Sequence, residues 1–290
     1  MLTVQSNMAA MSALNALNTN SNNQNVTMQR LSTGFRINSA SDDAAGFAIS
    51  SKLIAQKTAL SAASSNALQA TSMVKMADSA QNEIQNMLVR LKTLATQASS
   101  ANNSTALSKL DAERVALETQ ITKMAQSANY NGVKLLDGTS GIQTFQVGAS
   151  SNSYDQITAN FSKDLTATGL GLGAAAATFP AVAGAAGAVA TSDFGSQTNA
   201  QAYIAKIDAA INTVSSNRAE MGATVNSLSY VTSNLATTIE QTSAAISTIK
   251  DADMANQMAQ LTKQKILSQV GISMLAQANQ SQQSILSLFR

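Results

Sequence analysis

From Ile204 to Ile249 the chain returns to an apolar residue every third or fourth position and never slips register. The stripe runs Ile204, Ile207, Ile211, Val214, Met221, Val225, Leu228, Leu235, Ile239, Ile246 and Ile249, with only Arg218, Thr232 and Thr242 as polar members. That spacing is a coiled-coil seam nearly seven heptads long, and as an α-helix it spans roughly 70 Å. Ordering so long a backbone costs more than one narrow stripe returns, so the seam requires partners.

Two upstream stretches supply them. Leu53, Leu60, Ala63, Ala67, Ala70, Val74, Ala77, Ile84, Leu88, Leu91, Ala95 and Ala98 form a second seam, completed by Gln56 and Gln81. Many of its members are Ala, which lets helices approach closely. A third, shorter seam runs Leu107, Leu110, Arg114, Leu117, Ile121, Met124 and Ala128. The unbroken register favours a rod-like bundle over ordinary amphipathic core helices. One Pro and 14 Gly in 290 residues leave these stretches uninterrupted.

Composition excludes most chemistry. The chain has no His and no Cys, so Ser-His or Cys-His catalysis, disulfides and thiolate or imidazole zinc sites are all ruled out. No acidic cluster is spaced for a carboxylate metal site or carboxylate-pair hydrolysis. The expectation is therefore no enzyme, no catalytic residues, no metal and no cofactor. A net charge of +2 with 12% charged residues and no basic, aromatic-flanked stripe argues against nucleic acid. The amino end lacks the basic and apolar regions of a cleavable secretory signal. The only long uncharged apolar run, Leu165–Ser192, is mostly Ala and Gly with Pro180 inside; it reads as a loose surface segment, and no membrane insertion is expected.

Between Tyr130 and Phe161 the pattern changes. Asn131-Gly132 and Asp137-Gly138 are turn dipeptides. Thr144–Val147 and Gln156–Phe161 alternate like short strands and predict one β-hairpin near 142–162. From Thr168 to Ser196 the chain is Ala/Gly-rich and reads as an exposed connection. Thr198 and Asn199 are candidate caps for the helix that follows.

Both ends are helical in spacing but nearly uncharged. Residues 1–41 carry Arg30 and Arg36 and no acidic residue, and after Asp253 only Lys263, Lys265 and Arg290 are charged. The carboxyl-terminal apolar residues lie on several sides of the helix, which means several neighbours. Within one chain those neighbours are missing, so both ends are expected to order on assembly.

Residues 31–50, LSTGFRINSASDDAAGFAIS, join an end to the rod. Gly34 is placed as a left-handed helix stop, and Ser39, Ser41, Asp42 and Asp43 offer N-cap oxygens for a second helix. At the other end Asp251 and Asp253 are candidate caps.

This run, with ANYNGVKLLDG at 128–138, FQVGA at 145–149, SNRAEMGATVNSL at 216–228 and IKDADMANQMAQLTKQKILSQVGISMLAQANQSQQSILSLFR at 249–290, resembles bacterial flagellins. The likeness covers roughly residues 1–170 and 198–290 and several long motifs in order. It implies a mainly α fold of long antiparallel helices in a coiled-coil rod with one small β-hairpin. Residues 1–44 and 250–290 would pair as the inner layer of a filament, 45–176 and 198–249 would form the rod, and 177–197 a short exposed tip. Large outer domains, common in enteric flagellins, are absent.

The resemblance also implies the function. The chain would be the structural subunit of the extracellular flagellar filament, the propeller of swimming, assembled after export through the flagellar type III system; a hook–filament junction protein is the alternative. It would form a homo-polymer and meet an export chaperone at its carboxyl-terminal region, the filament cap and the junction proteins. The polymerisation core would draw on Leu14, Leu17, Leu31, Phe35, Leu261, Leu267, Val270, Leu275 and Leu288. Similar proteins are sensed by a host Toll-like receptor, and Arg90, Leu94 and Glu113 match the contacting positions. Thr93 departs from the family, which commonly has Glu there, and Val89 replaces a polar residue.

Overall fold

The structure is a computed structural model, and it describes residues 7–100, 106–172, 194 and 197–288, with side chains described as far as Ser281. Among these the order is α1 (Met8–Thr33), α2 (Ala44–Ala98), α3 (Leu107–Ser127), β1 (Asn129–Tyr130), β2 (Val133–Lys134), β3 (Gly141–Gln146), β4 (Gln156–Phe161), α4 (Gln197–Lys250) and α5 (Met254–Leu288). The fold is mainly α, as its seams predict. The chain forms two compact units, one of residues 1–58 and 239–290 and the other of residues 59–238. The divisions fall inside α2 and α4 and not at helix ends.

The central unit, 59–238, holds the predicted seams. Ala67, Ala70, Val74, Ala77, Ile84, Leu88, Leu91, Ala95 and Ala98 of α2 are buried, as are Ile207, Val214, Met221 and Leu228 of α4 and Ile121 of α3. The hairpin closes one side through Val147, Ala159 and Phe161. Polar groups in and beside the seams match the antiparallel register. Arg218 donates through Nε to Asp78 Oδ1 at 2.9 Å and through Nη1 to Gln85 Oε1 at 2.6 Å. Lys92 Nζ lies 2.6 Å from Asp208 Oδ1.

β3 and β4 pair antiparallel, from Gly141 opposite Phe161 to Gln146 opposite Gln156. The first strand begins three residues before the alternating TFQV because Gly141 to Gln143 are needed to match the length of β4. Asn131 and Gly132 both have positive φ, 49° and 84°, and their turn closes a second, two-residue ladder, β1 with β2. The sequence marked only the turn.

Two positions differ from expectation. α4 begins at Gln197, which puts Thr198 and Asn199 inside its first turn and not at the N-cap position. Of the stretch from Thr168 to Ser196 expected as an exposed connection, Leu170 and Leu172 are buried, and Phe194, within the expected tip, is fully buried. Its ring meets Tyr203 edge-on at 5.5 Å, so the chain is already folded back onto α4 there. The other expected tip residues up to Ser196 lie outside the described residues.

One seam position is poorly satisfied. Gln81 is fully buried, its Nε2 donates only to Met221 Sδ at 3.0 Å, and its Oε1 has no partner. A thioether is a weak acceptor, so this amide loses much of its hydration without a matching return. Gln81→Met keeps length and volume while removing the orphan acceptor. The substitution is expected to raise unfolding free energy by about 1 kcal/mol, read as a higher urea midpoint at unchanged slope.

Candidate polymerisation surface and junction

The terminal unit, 1–58 with 239–290, is built on α1 and α5. Asn7 caps α1 by accepting Ala10 N–H at Oδ1, 3.0 Å. Its Nδ2 reaches across to Ala278 O at 3.0 Å, and Asn20 Nδ2 reaches Gln264 O at 2.7 Å. The two helices are therefore antiparallel neighbours. The ends, expected to order on assembly, are here two helices paired within one chain.

Their seam is mixed. The side chains turned inward on α1 include Ala13, Leu17, Asn20, Gln24, Thr27, Arg30 and Leu31, and those on α5 include Gln257, Leu261, Gln264, Ser268, Leu275 and Ala278. A Cβ on Gly271 would meet Leu17 Cδ1 at 3.4 Å, an ordinary contact. Meanwhile Met8, Met11, Leu14, Val26 and Met28 of α1 and Met258, Ile266, Leu267, Val270, Ile272 and Met274 of α5 are exposed. An amphipathic pair that is complete on its own keeps most of its large hydrophobes inside. The seam is also incompletely satisfied: Arg30 Nε, Gln257 Oε1 and Gln264 Oε1 are buried without partners.

The nine residues expected in a polymerisation core divide accordingly. Leu17, Leu31, Leu261 and Leu275 are half-buried. Leu14, Phe35, Leu267 and Val270 are exposed, Val270 at 51%. The Leu288 side chain lies outside the described residues. Spacing showed that apolar residues occupy several sides; it did not show that the intramolecular side shares its positions with polar residues. The signal was present in Asn20, Gln24 and Thr27, which follow Leu17 at the helical repeat.

The junction behind this pair is tightly specified. Gly34 stops α1 in the left-handed conformation, φ 75°, and donates its N–H to Arg30 O at 2.9 Å. The segment after it pairs with the break between α4 and α5. Arg36 N–H donates to Lys250 O at 2.7 Å, Ala252 N–H to Gly34 O at 2.9 Å, and Arg36 Nη2 to Ile249 O at 2.7 Å. Lys250 Nζ sits 4.3 Å from the centre of the Phe35 ring. Each helix break is thus completed by the other.

Of the offered capping residues the chain uses Asp43, whose Oδ1 accepts Gly46 N–H at 2.9 Å. Asp42 serves the link instead. Its Oδ2 accepts the backbone N–H of Ser39 at 2.9 Å and of Asn38 at 3.1 Å, and these bonds hold its pKa below the ordinary carboxylate value. Asp253 caps α5 by accepting from Ala255 and Asn256 N–H.

A separate cluster escaped the sequence reading. Arg114 of the third seam is buried and donates to Asp111 Oδ1 at 2.8 Å and to Glu118 Oε1 at 2.5 Å. Its guanidinium carbon lies 5.6 Å from the Tyr203 ring centre and 5.7 Å from that of Phe194. Tyr203 OH donates to the same Glu118 oxygen. Burial opposes the Arg114 charge, but the Asp111 hydrogen bond and the Glu118 carboxylate outweigh it and raise its pKa. Burial, then the Glu118 bond, raise the Tyr203 phenol. An Arg in an apolar seam was the visible signal; its aromatic partners are too distant in sequence to read. The cluster packs α3, Phe194 and α4 together.

Arg90, Leu94 and Glu113 do not form one surface. Arg90 Nε and Nη2 both donate to Glu113 Oε1, at 2.9 and 2.6 Å, in an exposed pair. Leu94 is fully buried in the core, so its expected place in a receptor contact is corrected. It lies beside Leu91 and Ala95, and the broader seam takes it in.

The model of the bacterial flagellin N-terminal helical region matches residues 4–141, and that of the C-terminal helical region matches residues 204–289. The chain is 37% identical to a flagellin of Bacillus subtilis strain 168 over all of both chains. The chain belongs to the flagellin family. It is also 36% identical to a flagellin of Halalkalibacterium halodurans, again over the whole of both chains. Against a flagellar filament 33 kDa core protein of Treponema phagedenis the identity is 33%, with both chains fully covered. Flagellin is a structural protein and not an enzyme: this chain is a filament subunit. No described helix is long and apolar enough to cross a membrane.

Two outcomes follow from this geometry. A Cβ on Gly46 meets Asp43 Oδ2 at 2.5 Å and Ile37 Cδ1 at 2.7 Å, and Ile37 is buried. Gly46→Ala is therefore expected to lower amide-exchange protection across residues 36–43, although Ala normally favours a helix interior by about 0.5–1 kcal/mol. For Tyr203 the pH sign is set by a raised folded-state pKa against an unfolded value of 10.0. Below that value both states keep the proton. Above it only the unfolded state loses it, so stability falls, by up to about 1.4 kcal/mol per pH unit. Tyr203→Phe is expected to flatten that alkaline fall in denaturation curves measured from pH 9 to 11.5, at a cost of about 1 kcal/mol at neutral pH.

Proposed function

We propose that this flagellin assembles through the outward faces of the α1–α5 pair. The single observation that carries the reading is how many large hydrophobes the pair leaves outside: Met11, Leu14, Leu267 and Val270 are exposed while part of the seam is given to Asn20, Gln24, Gln257 and Gln264. So many exposed apolar side chains on one helix pair point to association. In a helical polymer each copy is surrounded by identical copies, and a terminal unit with few charges avoids repeating like-charge repulsion around the tube. In this proposal residues 1–44 and 250–290 line the inner layer, residues 45–176 and 198–249 form the surrounding rod, and 177–197 the tip.

The same reading makes the filament the extracellular propeller of swimming, supplied by export of unfolded subunits through the flagellar type III system. An export chaperone covers the carboxyl-terminal segment before assembly, and the filament cap and hook–filament junction proteins meet the same terminal faces. No observation favours the junction protein itself as the identity of this chain. Recognition by a host Toll-like receptor falls to the exposed Arg90–Glu113 pair and the neighbouring Val89, without Leu94.

Val270→Asp and Leu267→Asp place a charge on the outward face and leave the pair seam untouched. Each variant is expected to keep the monomer's helical circular dichroism and to fail to extend filament seeds. Gly271→Ala, whose new methyl meets Leu17 Cδ1 at 3.4 Å and Cβ at 3.9 Å, both ordinary contacts, is expected to extend seeds like the parent. Normal growth of both Asp variants overturns the assignment.

A further inference from the structure

Asn131-Gly132 is the chain's only Asn-Gly step. It forms the two-residue turn between β1 and β2 in the central unit, with φ 49° at Asn131 and 84° at Gly132. Both residues are exposed, and the Asn131 carboxamide makes no hydrogen bond to any described residue. The space beside Gly132 is open, since nothing lies within 4 Å of where a Cβ would stand. We propose that Asn131 is a site of spontaneous deamidation, and that the rearranged product unseats the strand that carries Leu135 and Leu136 into the core.

The turn is one peptide flip from the reacting geometry. A hairpin turn with positive φ at both central residues is type I′; turning over its central peptide plane gives type II′, in which only the first stays positive. Asn131 keeps its φ through that flip, and Gly132 takes either sign at little cost. The flip swings the Gly132 backbone nitrogen toward Asn131 Cγ. After losing its proton, that nitrogen attacks Cγ. The new C–N bond closes a five-membered imide, and the Cγ–Nδ2 bond breaks to release ammonia. Water then opens the ring. Cleavage at Cγ gives Asp; cleavage at the backbone carbonyl gives isoaspartate, with the chain rerouted through the side chain and longer by a methylene. The balance is one water in and one ammonia out, and nothing is oxidised.

The position amplifies the change. The ladder behind the turn has only two pairs, Tyr130 with Val133 and Asn129 with Lys134. Directly after it Leu135 N–H donates to Ala128 O at 3.0 Å, and Leu136 O accepts Leu165 N–H at 2.9 Å. Leu135 and Leu136 are fully buried. A two-residue turn lengthened by a methylene cannot hold that register. Because the amide is not restored, the extent of conversion records the age of a subunit. The inference is independent of how copies of the chain assemble.

The tryptic peptide 124–134 of the full chain carries Asn129 and Asn131 together. Asn129 precedes Tyr130 and donates its Nδ2 to Ser127 O at 2.8 Å, so it serves as an internal control. The folded chain is kept in mildly alkaline buffer and sampled over weeks by peptide mass spectrometry. Asn131 is expected to convert from amide to acid at least about tenfold faster than Asn129, which must first leave its extended conformation. Equal rates, or an unconverted Asn131, overturn the proposal. The isoaspartyl fraction, separated by ion exchange, is expected to exchange the Leu135 and Leu136 amides at least about tenfold faster than the parent. Protection equal to the parent's overturns the unseating. Asn131→Gly accepts the same positive φ and has no side-chain amide. It is expected to keep its protection through the same incubation, and decay at the parent's rate overturns the assignment to Asn131.

Discussion

A helix 55 residues long, such as α2, has too little apolar surface on one stripe to offset its own ordering. Everything in the central unit follows from the need to cover that stripe along its length. Ala at many α2 positions sets how near a neighbour can come, and the larger aliphatics of α4 fill the space. Polar pairs in and beside the seam bear on position: Arg218 spans Asp78 and Gln85, and Lys92 meets Asp208. Exposed pairs of this kind add little stability, but a shift by one turn leaves each of them unmatched.

The terminal unit is allocated differently. Its seam alternates leucines such as Leu17 and Leu261 with amides such as Asn20 and Gln264, and many of its large hydrophobic side chains face outward. Polar seam positions specify orientation and cost stability. The unit is thus definite in geometry yet incomplete in free energy, and additional copies of the chain supply the remainder. The central unit, with its own core, has no such need. One polypeptide therefore joins a part that is finished alone to a part that is finished only in company.

The sequence made the long elements legible because each depends on a local repeat. The three seams, the stop at Gly34, the caps at Asp43 and Asp253 and the hairpin all rest on residues within a few positions of one another. Failures arose where the deciding partner is remote. Phe194 looked like part of an exposed tip because its pocket is made by Tyr203 and Arg114. Leu94 was placed on a surface by likeness to a family position, while its burial depends on how broad the core is. The α1–α5 seam was hardest to see, since hydrophobicity is the usual guide to an inside and here apolar residues lie on both the inner and the outer faces.

The pairing of the two helix breaks has a consequence in time. Asn20 and Gln264 are 244 residues apart, and Gly34 must wait for Ala252. Helix α1 is thus made long before its partner α5 exists. For nearly the whole of synthesis the amino-terminal segment stays an unpaired chain, and a truncated product never closes the terminal unit. Completeness of the polypeptide is thereby checked by its own topology before a subunit can take its place.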